Sequence, residues 1–297
     1  MAKPRDIIIG LIIAGAALIF VVMVVLSLRA LTRQSGLTML PVGDRIGIVE
    51  VEGVIESSED IVRQLKKYDE DGSVPAIVLR INSPGGAVAP TQEIFDQILK
   101  ARANGTYIIA SLSSVAASGG YYIACAADTI LANPGTLTGS IGVIFSFMTF
   151  EGLMDKVGVQ LEVVKSGEMK DVGNYSREMS QREREMLQGA LNDVYNQFVL
   201  AIAQNRNLEV VQVEELADGS IFTGNQALEL GLIDKLGGFE DAVSLAGEMA
   251  GLGKHPRVVK EYPRPPRLID YLLGEAASYL NSKGPAQAWP KLEYIYK

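Results

Sequence analysis

The sequence predicts an α/β layered fold in which buried strands alternate with helices. Three observations carry that expectation. Continuous apolar runs of strand length occur, such as "AIVLRI" at 76–81, too uniformly apolar for a sheet with one wet face. Stretches with helical spacing lie between them, such as "TQEIFDQILKARA" at 91–103, where Ile94, Ile98 and Leu99 share a face. Glycine- or serine-rich turns directly follow three of the predicted strands.

Taken in order, residues 1–6 form a short head, and residues 7–28, "IIIGLIIAGAALIFVVMVVLSL", carry no charge over about the 20 residues that span a bilayer. The run ends in "RALTRQ" rather than at a small-x-small cleavage site, so an uncleaved transmembrane anchor is expected. Lys3 and Arg5 precede it and Arg29 and Arg33 follow it, so charge alone does not orient it. The short head is compatible with an extracytoplasmic domain on a single-pass anchor. Residues 29–45 read as a polar linker with Gly36, Pro41 and Gly43. Order begins at "RIGIVEVEGVI", a strand by its alternation, and continues through "TYIIASLS" (106–113), "TILAN" (129–133) and "QLEVVKS" (160–166), all expected strands. Ser180 and Glu183 of "SQRE" form a capping box opening a long helix, whose Leu187, Leu191, Val194, Phe198 and Ile202 are expected in the core. One domain is expected over 46–255. A tail follows over 256–297, where prolines at 263, 265 and 266 forbid regular helix.

Composition narrows the function classes. A formal net charge of -8 with no Lys/Arg stripe argues against a nucleic-acid partner. The lone cysteine, Cys125, in "YYIACAAD" rules out a disulfide framework within one chain and reads as a buried small hydrophobe. The lone histidine, His255, stands in the exposed-looking turn "GLGKHPR", a poor place for the base of a Ser-His-Asp triad.

The three turns are "NSPGGA" (82–87), "SVAASGGY" (114–121) and "TGSIGV" (138–143), and in an open α/β sheet such strand ends share one edge. Gly85 and Gly86 can aim backbone amides at an empty crevice, which suits an oxyanion. Ser118, hemmed by alanines and glycines, stands where a strand turns into a helix-forming stretch. It fits a helix cap, and it equally fits an exposed nucleophile with the Gly119 amide beside it. With His255 badly placed, the remaining common base is a lysine: Lys170 in "KSGEMKDVG", or its competitor Lys165.

Read jointly, "RINSPGG", "SVAASGGYYIACAAD", "TGSIGV", "KSGEMKD" and "DGSIFTGNQALELGLID" resemble, over about residues 46–250, the signal peptide peptidase A (SppA) family of the single-repeat type. The resemblance implies a ClpP/crotonase-like ββα superhelix behind the transmembrane helix, and a membrane-bound serine protease with a Ser-Lys dyad. It assigns the nucleophile to Ser118 and, through the lysine-aspartate pair, the base to Lys170. It further implies oxyanion amides at Gly85 and Gly119, leaving open which of Gly85 and Gly86 points inward, and a Ser140 hydroxyl holding the lysine. No metal or organic cofactor is implied. The implied partners are remnant signal peptides and other short hydrophobic peptides, the membrane, and further copies of the chain in a homo-oligomer, with the dyad within one subunit or shared between two. Thr223, Gly224, Ala227, Gly231 and Asp234 read as structural. Two other readings are a crotonase-type acyl-CoA enzyme, opposed by the anchor and the lack of a basic pocket, and an idle membrane scaffold.

Overall fold

The computed structural model describes residues 43–261 and 293–295, together with Phe20. The expected anchor at 7–28, Phe20 apart, and most of the linker and tail lie outside the described residues. Among the described residues no helix is long and apolar enough to cross a membrane. Of the two units into which the chain divides, Met1–Gly43 and Asp44–Lys297, the second holds the elements that follow.

The apolar runs become the centre of a mostly parallel sheet. Strands β1 (Ile46–Glu52) and β2 (Ala76–Ser83) pair in parallel along their whole lengths, from Ile46 opposite Ala76 to Glu52 opposite Asn82. On the far side of β2 lies β4 (Tyr107–Ala117), also parallel. Side chains alternate between two dry faces, which is why the run reads as continuously apolar. Ile77, Leu79 and Ile81 pack into the larger core with Leu65 of α1 (Glu59–Asp69) and Ile94 and Ile98 of α2 (Val88–Ala103). Ala76 and Val78 face the opposite way, against Ala242, Val243 and Ala246 of α8 (Phe239–Met249).

β4 is long enough to serve two neighbours. Its first half pairs with β5 (Thr129–Ala132), and its end, Val115–Ala117, pairs with β6 (Leu137–Gly139). β7 (Ile221–Thr223) runs antiparallel to β6, and β8 (Lys235–Leu236) extends β5. β9 (Val258–Lys260) pairs with the start of β1, so the sheet runs past the boundary expected at 255. The remaining helices are α3 (Gly119–Ala124), α4 (Glu151–Val157), α5 (Gln181–Arg206), α6 (Val210–Leu216) and α7 (Gly224–Glu229).

Two expectations are corrected. Residues 160–166 form no strand: Leu161, Val163 and Val164 are exposed, and among the described residues no neighbouring strand pairs with this segment. Alternating β-branched residues need a neighbour's backbone groups to form a strand, and without one the segment stays irregular. The α5 stripe is buried only from Val194 through Phe198 to Ile202, while Leu187 and Leu191 are half exposed because the first half of the helix projects from the core. The capping box forms as read, Glu183 N–H donating to Ser180 Oγ and Ser180 N–H to the Glu183 carboxylate. The "IFTGNQALELGLID" segment is structural: Thr223 caps α7, and Asp234 accepts from Ile130 N–H and pairs with Arg206.

Candidate active site

The ends of β2, β4 and β6 meet at one edge of the sheet, as the three turns required. Ser83 stands opposite Ala116, and Ala117 opposite Gly139, so Ser83, Ser118 and Ser140 emerge side by side. A break in register between Ile81 and Ser83 turns the "SPGG" segment out of the β2 ladder. From there β3 (Gly85–Ala87) continues as a short separate strand.

Ser118 joins β4 to α3 with φ 51° and ψ -117°, a backbone state that costs a non-glycine residue about 1–3 kcal/mol. The surroundings over-determine it. Ser118 N–H donates to Gly139 O at 2.7 Å, and its carbonyl accepts from Tyr122 N–H at 2.8 Å. Tyr122 in turn is wedged between Phe95 and Phe198, with ring centroids 4.7 and 5.0 Å away. The hydroxyl does not cap the helix, which disposes of the cap reading, and it has no hydrogen-bond partner among the described residues. The Gly119 amide likewise has no acceptor among them. A strained strand-to-helix serine with a spare hydroxyl and an adjacent spare amide is chemically able to act as a nucleophile in acyl transfer.

β3 orients the two glycines differently. The Gly85 amide donates to Ser83 Oγ at 3.1 Å, and the Gly85 carbonyl accepts from Ile55 N–H. Ala87 N–H donates to Ile55 O. With both flanking residues bonded to Ile55, the N–H and C=O of Gly86 point the other way, toward the far edge of β3. Glycine is required at 86 because a Cβ would stand 2.2 Å from Ile55 O. Along that edge lies β10 (Glu293–Ile295), antiparallel, with Tyr294 opposite Gly86.

The two lysines part company. Lys165 is committed, its Nζ 2.5 Å from Asp171 Oδ1 and 3.0 Å from Glu168 O. Lys170 sits exposed on a 3₁₀ turn, Glu168–Asp171, and its ammonium has no hydrogen bond or ion pair among the described residues. It lines an open hollow of about 410 Å³ with Ser166, Gly167, Glu168, Met169 and Arg182, and this hollow does not include Ser118. Within one chain no hydrogen bond joins Lys170 to Ser118 or to Ser140, whose N–H donates to Ser220 O. His255 is exposed just before β9, which pairs with the start of β1; Ser118 follows the opposite ends of the strands. Cys125 is fully buried, its thiol pushed up to about 12 by loss of solvent.

Sequence reasoning missed Ser83, which pins the Gly85 amide, and the pairing of β10 with β3. It also missed the ionic partners of Asp171. Only the β-branched and aromatic pattern of "EYIY" hinted at a strand near the C-terminus.

The signature of Peptidase family S49 matches residues 100–253, a span that contains Ser118, Ser140 and Lys170. The chain belongs to peptidase family S49. That membership makes it a serine protease, and a match of residues 43–134 to the Clp protease family accords with the parallel sheet and the β3 edge. This S49 chain is 44% identical over 232 residues to a Synechocystis protein named as a protease, covering 77% of the chain and 83% of that relative. It is 40% identical over 185 residues to an Enterococcus faecium protein named for signal peptide peptidase SppA, covering 62% and 54%. It is 33% identical over 237 residues to the chloroplastic serine protease SPPA of Arabidopsis thaliana, covering 79% of the chain and 35% of that relative. The chain thus spans most of the first relative and about half or less of the other two.

Proposed function

We propose that the chain is a membrane-anchored endopeptidase that cleaves short apolar peptides, remnant signal peptides among them, with a Ser118-Lys170 dyad. The observation that carries this reading is the strained Ser118, with its uncommitted hydroxyl, beside an edge strand that already holds an extended segment antiparallel to it. A peptide substrate laid along β3 in that manner would use main-chain hydrogen bonds for affinity and bring a carbonyl toward Ser118. Lys170 takes the Ser118 proton, and the alkoxide attacks that carbonyl. The amides of Gly119 and Gly86 hold the oxyanion, and water activated by the same lysine releases the acyl-enzyme. The uncharged run at 7–28 supports the anchor and a site close to apolar peptides.

The dyad is assembled between copies of the chain. Lys170 stands exposed in a segment whose Met148, Leu153, Val157 and Val164 are 75%, 59%, 64% and 95% exposed, and a run of bare apolar side chains needs a covering surface. The orientation with the protease domain outside the cytoplasm completes the reading.

Hydrolysis of a fluorogenic apolar peptide by the full chain tests it. Ser118→Ala and Lys170→Ala are expected to lose activity and His255→Ala to keep it. Mixing the two inactive chains should restore part of the rate, since some mixed sites pair an intact serine with an intact lysine. Full activity in Lys170→Ala would sink the dyad, and no recovery on mixing would place both groups within one chain.

A further inference from the structure

We infer that Asp171 and Arg177 are positioning residues for Lys170, forming a guanidinium clamp that fastens the base-bearing turn to buried Glu183 at the start of α5. The inference rests on the reading of Lys170 as the base. A four-residue 3₁₀ turn in an exposed segment has little to hold it in one conformation. Here it is tied down beside the base itself. Arg177 Nε and Nη2 donate to Asp171 Oδ2 and Oδ1 at 3.1 and 2.8 Å, a bidentate grip on the residue next to Lys170. The same guanidinium donates through Nη1 and Nη2 to Glu183 Oε2 and Oε1 at 2.9 and 2.5 Å.

The far end of the clamp is rigid. Glu183 is 1% exposed, and its carboxylate also accepts Ser180 N–H at 2.8 Å as part of the capping box. At the other end of the turn, Arg182 pairs with Glu168 at 2.7 Å, and Lys165 closes the cluster on Asp171. An exposed ion pair by itself contributes little. What sets this one apart is the planar fork used on both sides at once, with one partner buried and fixed to a helix terminus, a geometry that specifies position as well as attraction. Asp171 and Arg177 have no contact with Ser118 among the hydrogen bonds and ion pairs described, so their effect on the reaction passes through Lys170.

The test is steady-state hydrolysis of the apolar peptide by full-length Arg177→Met, Arg177→Lys, Asp171→Asn and Lys170→Ala, mixed with nothing else, alongside thermal unfolding of each. A base displaced by about 1 Å loses on the order of 10²-fold in rate, so Arg177→Met is expected to lower kcat by about that factor with KM unchanged. Arg177→Lys should recover part of the loss, because an ammonium cannot grip both carboxylates bidentately. Asp171→Asn, which keeps the shape and loses the charge, should lower kcat about tenfold. If Arg177→Met does not unfold cooperatively, Asp171→Asn alone decides. Lys170→Ala inactive with both clamp variants at full kcat would overturn the positioning role and leave the dyad standing. A rise in KM at constant kcat would overturn it too, by moving the clamp to substrate binding. Lys170→Ala at full activity would remove the base itself, and the inference with it.

Discussion

Gly86→Ala isolates the β3 edge from every charged group in the site. The added methyl would meet Ile55 O at 2.2 Å, Ile55 N at 2.5 Å and Ile55 C at 2.6 Å, all of them backbone. An ordinary carbon-oxygen contact lies at about 3.3 Å, so β3 must move away from Ile55 by about 1 Å. Overpacking of this kind costs typically about 1–3 kcal/mol, well within what the domain can absorb. The Gly86 amide travels with the strand, and an oxyanion donor or substrate strand misplaced by about 1 Å costs on the order of 10²-fold in rate. The assay is peptide hydrolysis with thermal unfolding in parallel. Gly189→Ala in α5 is the control, because a methyl there meets nothing within 4 Å. That control should keep full activity and gain about 0.5–1 kcal/mol from the better helix former. A cooperatively folded Gly86→Ala with wild-type kcat would refute both the orientation of the Gly86 peptide and its role at the edge.

Three further outcomes are expected. Arg177 holds the Glu183 carboxyl at about 2, below its ordinary 4.5, so the stability this contributes is present above 4.5 and is lost as pH falls toward 2; thermal unfolding of Glu183→Gln should show a weaker acid limb over that window than wild type. Cys125 should resist alkylation in the folded chain at pH 8, since its thiol is buried and raised to about 12, and rapid labelling with loss of activity would contradict that burial. A chain ending at residue 261 lacks β10 and exposes the β3 edge, so its KM for the apolar peptide should fall; an unchanged KM would mean that β10 and substrate do not compete.

Much of this was legible along the chain. The run 76–81 announced a strand buried on two faces, and Ser180 with Glu183 announced the start of α5, because both signals are local. The failures are equally specific. Residues 160–166 carry a strand pattern, yet strand formation is a property of a pair of segments, and the partner is missing among the described residues. Leu187 and Leu191 carry a core pattern, yet among the described residues nothing packs over that end of the helix tightly enough to bury them.

By itself the sequence determined the α/β class, the three turns, Ser118 as the hydroxyl to examine and two lysines as the candidate bases, since each rests on residue type and short spacing. The tertiary structure decided the surroundings of each of these residues, which spacing leaves undefined. It placed Ser118 at φ 51° with its hydroxyl uncommitted, and turned the Gly86 peptide outward while Ser83 took the Gly85 amide. It also engaged Lys165 with Asp171, so that of the two candidate lysines Lys170 is the one with no hydrogen bond or ion pair among the described residues. The Ser118 and Gly86 arrangements rest on hydrogen bonds to Gly139 and Ile55, twenty-one and about thirty positions away, which exist only once the strand ends share an edge, whereas the Lys165–Asp171 pair depends on how the 160–171 segment folds back on itself.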